Sequence, residues 1–466
     1  MSTTPAASGA TNELNRYFDT HADRFLEDLK AALRIPSVST EERYKDDVRR
    51  CADHIAGHLR ELGMQKVEVI ATEGHPIVYA EWLGAPGKPT ALVYGHYDVQ
   101  PVEPLELWKS PPFEPEVRGG NLHARGAVDD KGQVYMHLKA IEGWMKVRGA
   151  LPINLKMIIE GEEENGSEAL YPFVEAHREK LACDVIVVSD TAMLGPDQPA
   201  LTYGLRGLLY TQIEVTGPAN DLHSGHFGGA VANPGNALAR IIAGLKDADG
   251  RITVPGFYDD VLELTAAERK ALAQVPFDEQ GYLAEAGSPG PFGEKGYTTL
   301  ERIGVRPTLD VNGMWGGYQG PGSKTVLPSF FAAKVSMRLV PDQDPRQLFP
   351  MFEAHVRKLC PPGVTVKVKN LHHGDPFLTD PTHPMLEAAR RALAKVWAKP
   401  PAMMREGGSI PVMTAMKKTF DVPFIFMGFG LDDDNVHAPN EKFSLSSFYG
   451  GIRSVAALYE ELGNVS

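Results

Sequence analysis

Apolar residues recur at two different periods along this chain, and the changes of period mark its elements. Phe18, Phe25, Leu29 and Ala32 lie on one helical stripe that Pro36 stops, and Val48, Ala52, Ile55, Leu59 and Leu62 lie on a second that Gly63 closes. Continuous apolar runs at 66–71, 77–83 and 90–95 then read as strands. A helical pattern from Lys131 to about Val147, a strand at 153–159, a helix near 168–180 and a strand at 184–188 follow. Strands alternating with helices predict an α/β sheet with parallel stretches.

From about Leu208 the pattern changes. The stretches 209–216, 330–340 and 363–370 predict long strands, with helices between them near 234–247 and 345–358. This mixture describes a smaller α+β unit rather than a continuation of the first sheet. Residues 250–325 are rich in Gly and Pro and read as ordered loops. After His373 the α/β character returns, with a helix near 384–397 and the apolar run 422–427. The simplest organisation is one α/β domain made of 1–207 and 376–466, with 208–375 inserted as a second domain.

Composition narrows the classes of function. The 466 residues carry a formal net charge of −13, which argues against binding nucleic acid through phosphate neutralisation. Cys51, Cys183 and Cys360 stand far apart with no Cys-x-x-Cys pair, so neither a disulfide framework nor a thiolate zinc site is expected. No apolar run approaches the roughly 18 residues of a membrane span, and the N-terminal stretch lacks the pattern of a secretory signal. A cytoplasmic protein with no membrane partner is the expectation.

Candidate chemistry gathers where predicted strands end. The run 91–99 (ALVYGHYDV) delivers His96 and Asp98, whose side chains point the same way on extended backbone. Glu160-Gly-Glu-Glu-Glu164 follows the strand 153–159, and Asp190 follows 184–188. In open α/β sheets, ligands bind beyond the carboxyl ends of the strands. Asp129 and Asp130 precede the helix at Lys131, and His437 lies in a loop after the last strand-like run. Each has a structural alternative: a core histidine at a strand end for His96, a helix N-cap for one of the two aspartates. Together they supply two histidines and at least three carboxylates, a nitrogen and oxygen donor set suited to two zinc-like or manganese-like ions. The three consecutive glutamates leave open which faces the site. The stretch 317–325 (GYQGPGSKT) departs from a phosphate loop because Ser323 separates Gly322 from Lys324.

In this order and spacing, GHYDVQP, GAVDDKGQ, EGEEENGS, VSD, DLHSG and REGGS resemble the di-metal aminopeptidase and deacylase family. That family includes carnosinase-like dipeptidases, glutamate carboxypeptidases, acetylornithine deacetylase and succinyl-diaminopimelate desuccinylase. YGLRG, RPTLDVNG, GSKTVLP and the long insertion resemble its carnosinase and cytosolic nonspecific dipeptidase branch. The resemblance implies a mixed, largely parallel sheet flanked by helices, the catalytic domain of a hydrolase-like di-zinc peptidase, with an inserted α+β lid and dimerisation domain. It implies that Asp129 bridges two ions, that His96 and Asp190 complete one shell, and that Glu164 and His437 complete the other. Asp98 would hold His96, Glu163 would be the general base, and Glu162 would have no direct catalytic role. The peptide after Asp129 would be cis. His223 would reach across a homodimer to the developing oxyanion, and Arg338 would grip the substrate carboxylate. Thr325, Gly408 and Ser409 would donate hydrogen bonds, and Glu406 would hold a free amino terminus. The implied activity is hydrolysis of dipeptides or short peptides with a free carboxyl terminus. The alternative is deacylation of N-acyl amino acids by the same site. The implied ions are zinc or manganese, with cobalt as a further choice.

Overall fold

The computed structural model describes residues 9–408 and 411–465. The chain divides into two compact units, the first made of the chain up to Tyr203, Thr379–Met404 and the chain from Ala415 onward. The second comprises Gly204–Leu378 together with Arg405–Thr414, a short return that the sequence reading had placed in the first.

In the first unit, the parallel centre of the sheet runs in the order Asn154–Glu160, Thr90–His96, Val185–Val188 and Phe424–Phe426. Antiparallel strands flank it: Ile77–Trp82 and Lys66–Ile70 on one side, Ala200–Leu205 on the other. The sheet is therefore mixed, parallel where helices connect its strands and antiparallel towards its edges. The four central strands bury nearly every residue, which is why they read as unbroken apolar runs.

The helix Lys131–Arg148 is buried from Lys131 to Trp144 and packs on the helices Gly9–Leu33 and Leu445–Gly463. It tolerates polar residues because each finds a partner. His137 bonds Tyr459 Oη at 2.9 Å and Ser189 Oγ at 2.8 Å, and the Gln133 carbonyl accepts from Phe429 N at 2.8 Å. Gly132 is required at its start: a Cβ there would meet the Ala127 carbonyl oxygen at 1.9 Å.

The second unit holds a four-stranded antiparallel sheet in the order Thr308–Gly316, Phe330–Leu339, Gly207–Thr216, Thr365–Gly374. Burial alternates along Gly207–Thr216, and the helices Pro234–Ala243 and Pro345–Leu359 cover the apolar face. The expectation of loops through 250–325 is corrected. Short helices occupy Ala266–Leu272, Glu279–Glu285 and Thr299–Gly304, and a strand begins at Thr308. Two of these helices start on capping boxes, Thr265 with Glu268 and Thr298 with Glu301, a Thr-x-x-Glu signal visible in the sequence.

Candidate metal centre

Two groups of donors form at the carboxyl edge of the first unit's sheet. His96, Asp129 and Asp190 bring ligand atoms within 4.8 Å of one another, and so do Asp129, Glu164 and His437. Asp129 belongs to both groups. Its Oδ1 lies 3.0 Å from His96 Nε2, and its Oδ2 lies 2.9 Å from His437 Nε2. Asp190 Oδ2 is 3.9 Å from His96 Nε2, and Glu164 Oε2 is 3.3 Å from His437 Nε2. Gln100 donates to the same Glu164 oxygen at 2.7 Å.

Asp98 acts more widely than its spacing suggested. His96 Nδ1 donates to the Asp98 backbone carbonyl at 3.1 Å and lies 3.4 Å from its carboxylate, leaving Nε2 turned to Asp129. The Asp98 carboxylate accepts from Ser39 Oγ at 2.6 Å and from the backbone N–H groups of Glu163 and Glu164 at 3.2 and 3.1 Å. It thus holds the turn that carries the glutamates. That turn is 3₁₀ from Glu163 to Asn165, so strict alternation of side chains does not apply. Glu162 packs its carboxylate where a Cβ on Gly74 would stand, away from the donors. Glu163 feels His96, Asp190, Glu164 and Asp98, and burial followed by the neighbouring carboxylates pushes it up to about 9.

The N-cap reading of the paired aspartates does not hold, for Asp130 occupies that position without a side-chain capping bond. Its Oδ2 accepts from His96 N at 3.2 Å, and its buried Oδ1 has no hydrogen-bond partner among the described residues. The close approach needs Gly95, where a Cβ would stand 2.9 Å from that Oδ2. The peptide between Asp129 and Asp130 is cis.

Crowded carboxylates draw protons onto the histidines. Hydrogen bonds to Asp129 and Glu164 raise His437 to about 10. Against the cost of burial, Asp129 and Asp98 raise His96 well above its usual value. Burial and the charge of Asp190 raise Asp130 as well. A doubled donor set with surplus negative charge and an orphaned buried oxygen fits divalent cations. A third cluster, Asp28, His58 and Glu142, does not call for one. The Lys139 ammonium already lies within it, 2.6 Å from Asp28, 2.9 Å from His58 Nε2 and 3.2 Å from Glu142.

The remaining candidates lie in the second unit. Leu222–His223 pairs with Val326–Leu327, and Ser224 N donates to the Thr325 carbonyl at 3.1 Å, so His223 and Thr325 come together. His223 Nδ1 accepts from Gly225 N at 3.0 Å, which leaves Nε2 to carry the proton of the neutral ring. Arg338 lies opposite Leu208 in the sheet, and burial lowers its pKa. Glu406 closes the strand Ala402–Glu406, and Gly408 is exposed; Ser409 lies outside the described residues. Arg206, within YGLRG, carries no signal in the sequence that marks it as a site residue. Arg206 donates to the carbonyls of Arg302 and Arg306 at 3.3 and 3.5 Å, and burial plus the charge of Arg338 lower it to about 10. Two further buried carboxylates stand near His437 in the chain and were not singled out by the sequence: Glu441, and Asp434, which accepts from Lys442 Nζ at 2.9 Å.

A nitrogen and oxygen donor set doubled on one aspartate is the equipment of a metal-dependent hydrolase, and comparison with known proteins agrees. The model of "Peptidase family M20/M25/M40" matches residues 92–461. The Cys-Gly metallodipeptidase DUG1 of Candida albicans is 35% identical, over 97% of this chain and 97% of its own. The human Beta-Ala-His dipeptidase is 30% identical, over 97% and 92%. Among solved structures, the dipeptidase Dug1p of Saccharomyces cerevisiae superposes with a TM-score of 0.82 at 30% identity, covering 98% of this chain and all of that one. Human carnosine dipeptidase 1 does so with 0.82 at 29% identity, covering 98% and 99%. The chain therefore belongs to peptidase family M20/M25/M40. It is a metal-dependent peptidase of α/β fold.

Proposed function

We propose that this protein is a dipeptidase that hydrolyses short peptides with a free carboxyl terminus, using two divalent cations per chain. The observation that carries the reading is the sharing of Asp129 between two donor groups, with Glu163 beside both. His96, Asp129 and Asp190 would hold one ion, and Asp129, Glu164 and His437 the other; nitrogen and oxygen donors of this kind accept zinc or manganese. When bound, such ions polarise an amide carbonyl and lower the pKa of water to about 7.

The chain's own residues then divide the work. Glu163, held by the backbone bonds of its turn to Asp98, takes a proton from the attacking water on its carboxylate and returns it to the departing amine. Asp98 keeps His96 Nδ1 as a donor, so Nε2 presents its lone pair. The Nε2–H of His223 is the donor for the developing oxyanion, supplied across a homodimer formed through the second unit. Arg338, with Arg206 adding to the local positive potential, takes the substrate carboxylate. Thr325, Gly408 and Ser409 add donors, and Glu406 receives the free amine.

The test is a substrate panel with zinc or manganese supplied: dipeptides, including Cys-Gly and β-Ala-His, against N-acetyl and N-succinyl amino acids. Dipeptide turnover is expected to exceed the acylated series. The reverse order makes the protein a deacylase with the same site, and inertness across the panel rejects both.

A further inference from the structure

Glu441 is in neither donor group, yet the shared aspartate hangs from it. Its buried carboxylate accepts from Arg125 Nη1 at 2.7 Å and Gly126 N at 3.0 Å through Oε2, and from Val128 N at 3.1 Å and Asp129 N at 3.3 Å through Oε1. All four donors belong to the stretch that ends on Asp129. The backbone of Glu441 is fixed as well. Its carbonyl accepts from Ala124 N at 3.2 Å, and the next residues, Lys442–Ser444, pair with Asn121–His123. His437 lies only four residues upstream, in a loop where Asn435, His437 and Asn440 all adopt positive φ, outside any β-ladder of the described residues and anchored at Asn440 by bonds to Leu107 and Lys109.

The two donor groups are therefore supported differently. His96 ends a strand bonded to neighbours on both sides, and Asp190 stands just past another. Asp129 and His437 come from loops, and the Glu441 carboxylate ties the backbone of Val128 and Asp129 to the segment that carries His437. Charge-assisted bonds of this kind set where a ligand stands before an ion arrives.

We propose that Glu441 is a positioning residue that sets the placement of Asp129 against His437, so that the ion held by Asp129, Glu164 and His437 depends on it far more than the ion held by His96, Asp129 and Asp190. The inference rests on the two-ion reading above. Glu441→Gln keeps the side-chain volume but turns an amide donor towards the Gly126 N–H and Arg125, which loosens the loop.

The experiment strips the full chain with a chelator, adds zinc alone, and follows binding by calorimetry alongside the melting temperature of the ion-free protein. Wild type is expected to show two binding steps. Glu441→Gln should weaken one step by about 10–100-fold, the range for lost supporting contacts, and leave the other nearly unchanged. In a His437→Ala background, which already lacks that step, Glu441→Gln should add no further loss. Trp144→Phe loses a bond to the Ala456 carbonyl that touches no ligand, and controls for stability alone. Should Glu441→Gln fail to fold, Glu441→Asp, which keeps the charge but withdraws it by one methylene, must show the same selective loss. Equal weakening of both steps, no weakening, or the same pattern in Trp144→Phe overturns the inference. Fewer than two ions on wild type overturns the two-ion reading itself, and this inference with it.

Discussion

Glu163 sits where burial and three carboxylates oppose its ionisation, pushing it up to about 9, while His96 favours the charged form. Cations held by the neighbouring donors would add positive charge beside it and lower its pKa, as suits a group that must accept a proton near neutrality. Glu163→Ala is expected to keep its ions and lose about 10²–10⁴-fold in turnover, the usual cost of a missing general base. Asp129→Ala should lose both ions and activity; metal content and kcat measured together separate the two. The histidines make a second prediction. His437, raised to about 10, holds a proton at pH 7 that must leave before its ring can donate a lone pair, and His96 is raised in the same direction. Because the His437 pKa lies above the usual 6.5, its proton stabilises the ion-free fold below that pH, and the benefit is lost as pH rises through about 10. Ion uptake at pH 7 should therefore release protons and tighten as pH rises. Calorimetry in two buffers of different ionisation enthalpy checks this; identical heats would contradict it.

At the scale of elements, the helix Lys131–Arg148 carries the molecule's most exacting polar packing. Lys139 is fully buried and joins Asp28 of one helix, His58 of a second and Glu142 of its own. Removing one member of such a group leaves the others buried and unpaired, a cost of about 3–5 kcal/mol. Lys139→Met should accordingly lower the melting temperature by several degrees, on the order of 4 °C or more, without touching a residue of the donor groups. The same cluster makes the fold sensitive to acid. Burial and Lys139 depress His58 to about 4, so its contribution is present above 6.5 and lost as pH falls through about 4. Glu142, held at about 2 by Arg24, Lys139 and Tyr17 against the effect of burial, contributes above 4.5 and loses that contribution as pH falls through about 2. Melting temperature followed from pH 7 to 4 should fall, and fall less in Lys139→Met, where the charge opposing His58 is gone.

At the scale of the whole molecule, the role proposed for His223 requires a second copy of the chain. Mixing two impaired variants tests that arrangement. Glu163→Gln and His223→Ala, each strongly impaired alone, should regain activity when exchanged into mixed dimers, because one site then has an intact Glu163 and an intact His223 from its partner. A mixture as impaired as its parts, with exchange confirmed, would place His223 and Glu163 in service of the same chain's site.

The sequence by itself determined the central strands, the buried helix that follows Asp129, and the types of residue at each strand end. Buried parallel strands are unbroken apolar runs, and a crossover helix has its own period, so both are local signals. The short helices of 266–304 were also locally signalled by their capping boxes, but the surrounding Gly and Pro masked them. Residue spacing left open which glutamate faces the site, and the sharing of Asp129 was implied only by resemblance; the tertiary structure places Asp129 in two donor groups, sets Glu162 against Gly74, and shows that Asp98 holds the backbone of that turn. Nor could spacing show that Glu441, 312 residues from Asp129, carries the loop on which that aspartate stands. Such roles depend on where separate segments meet, and no local period encodes a distance across the fold.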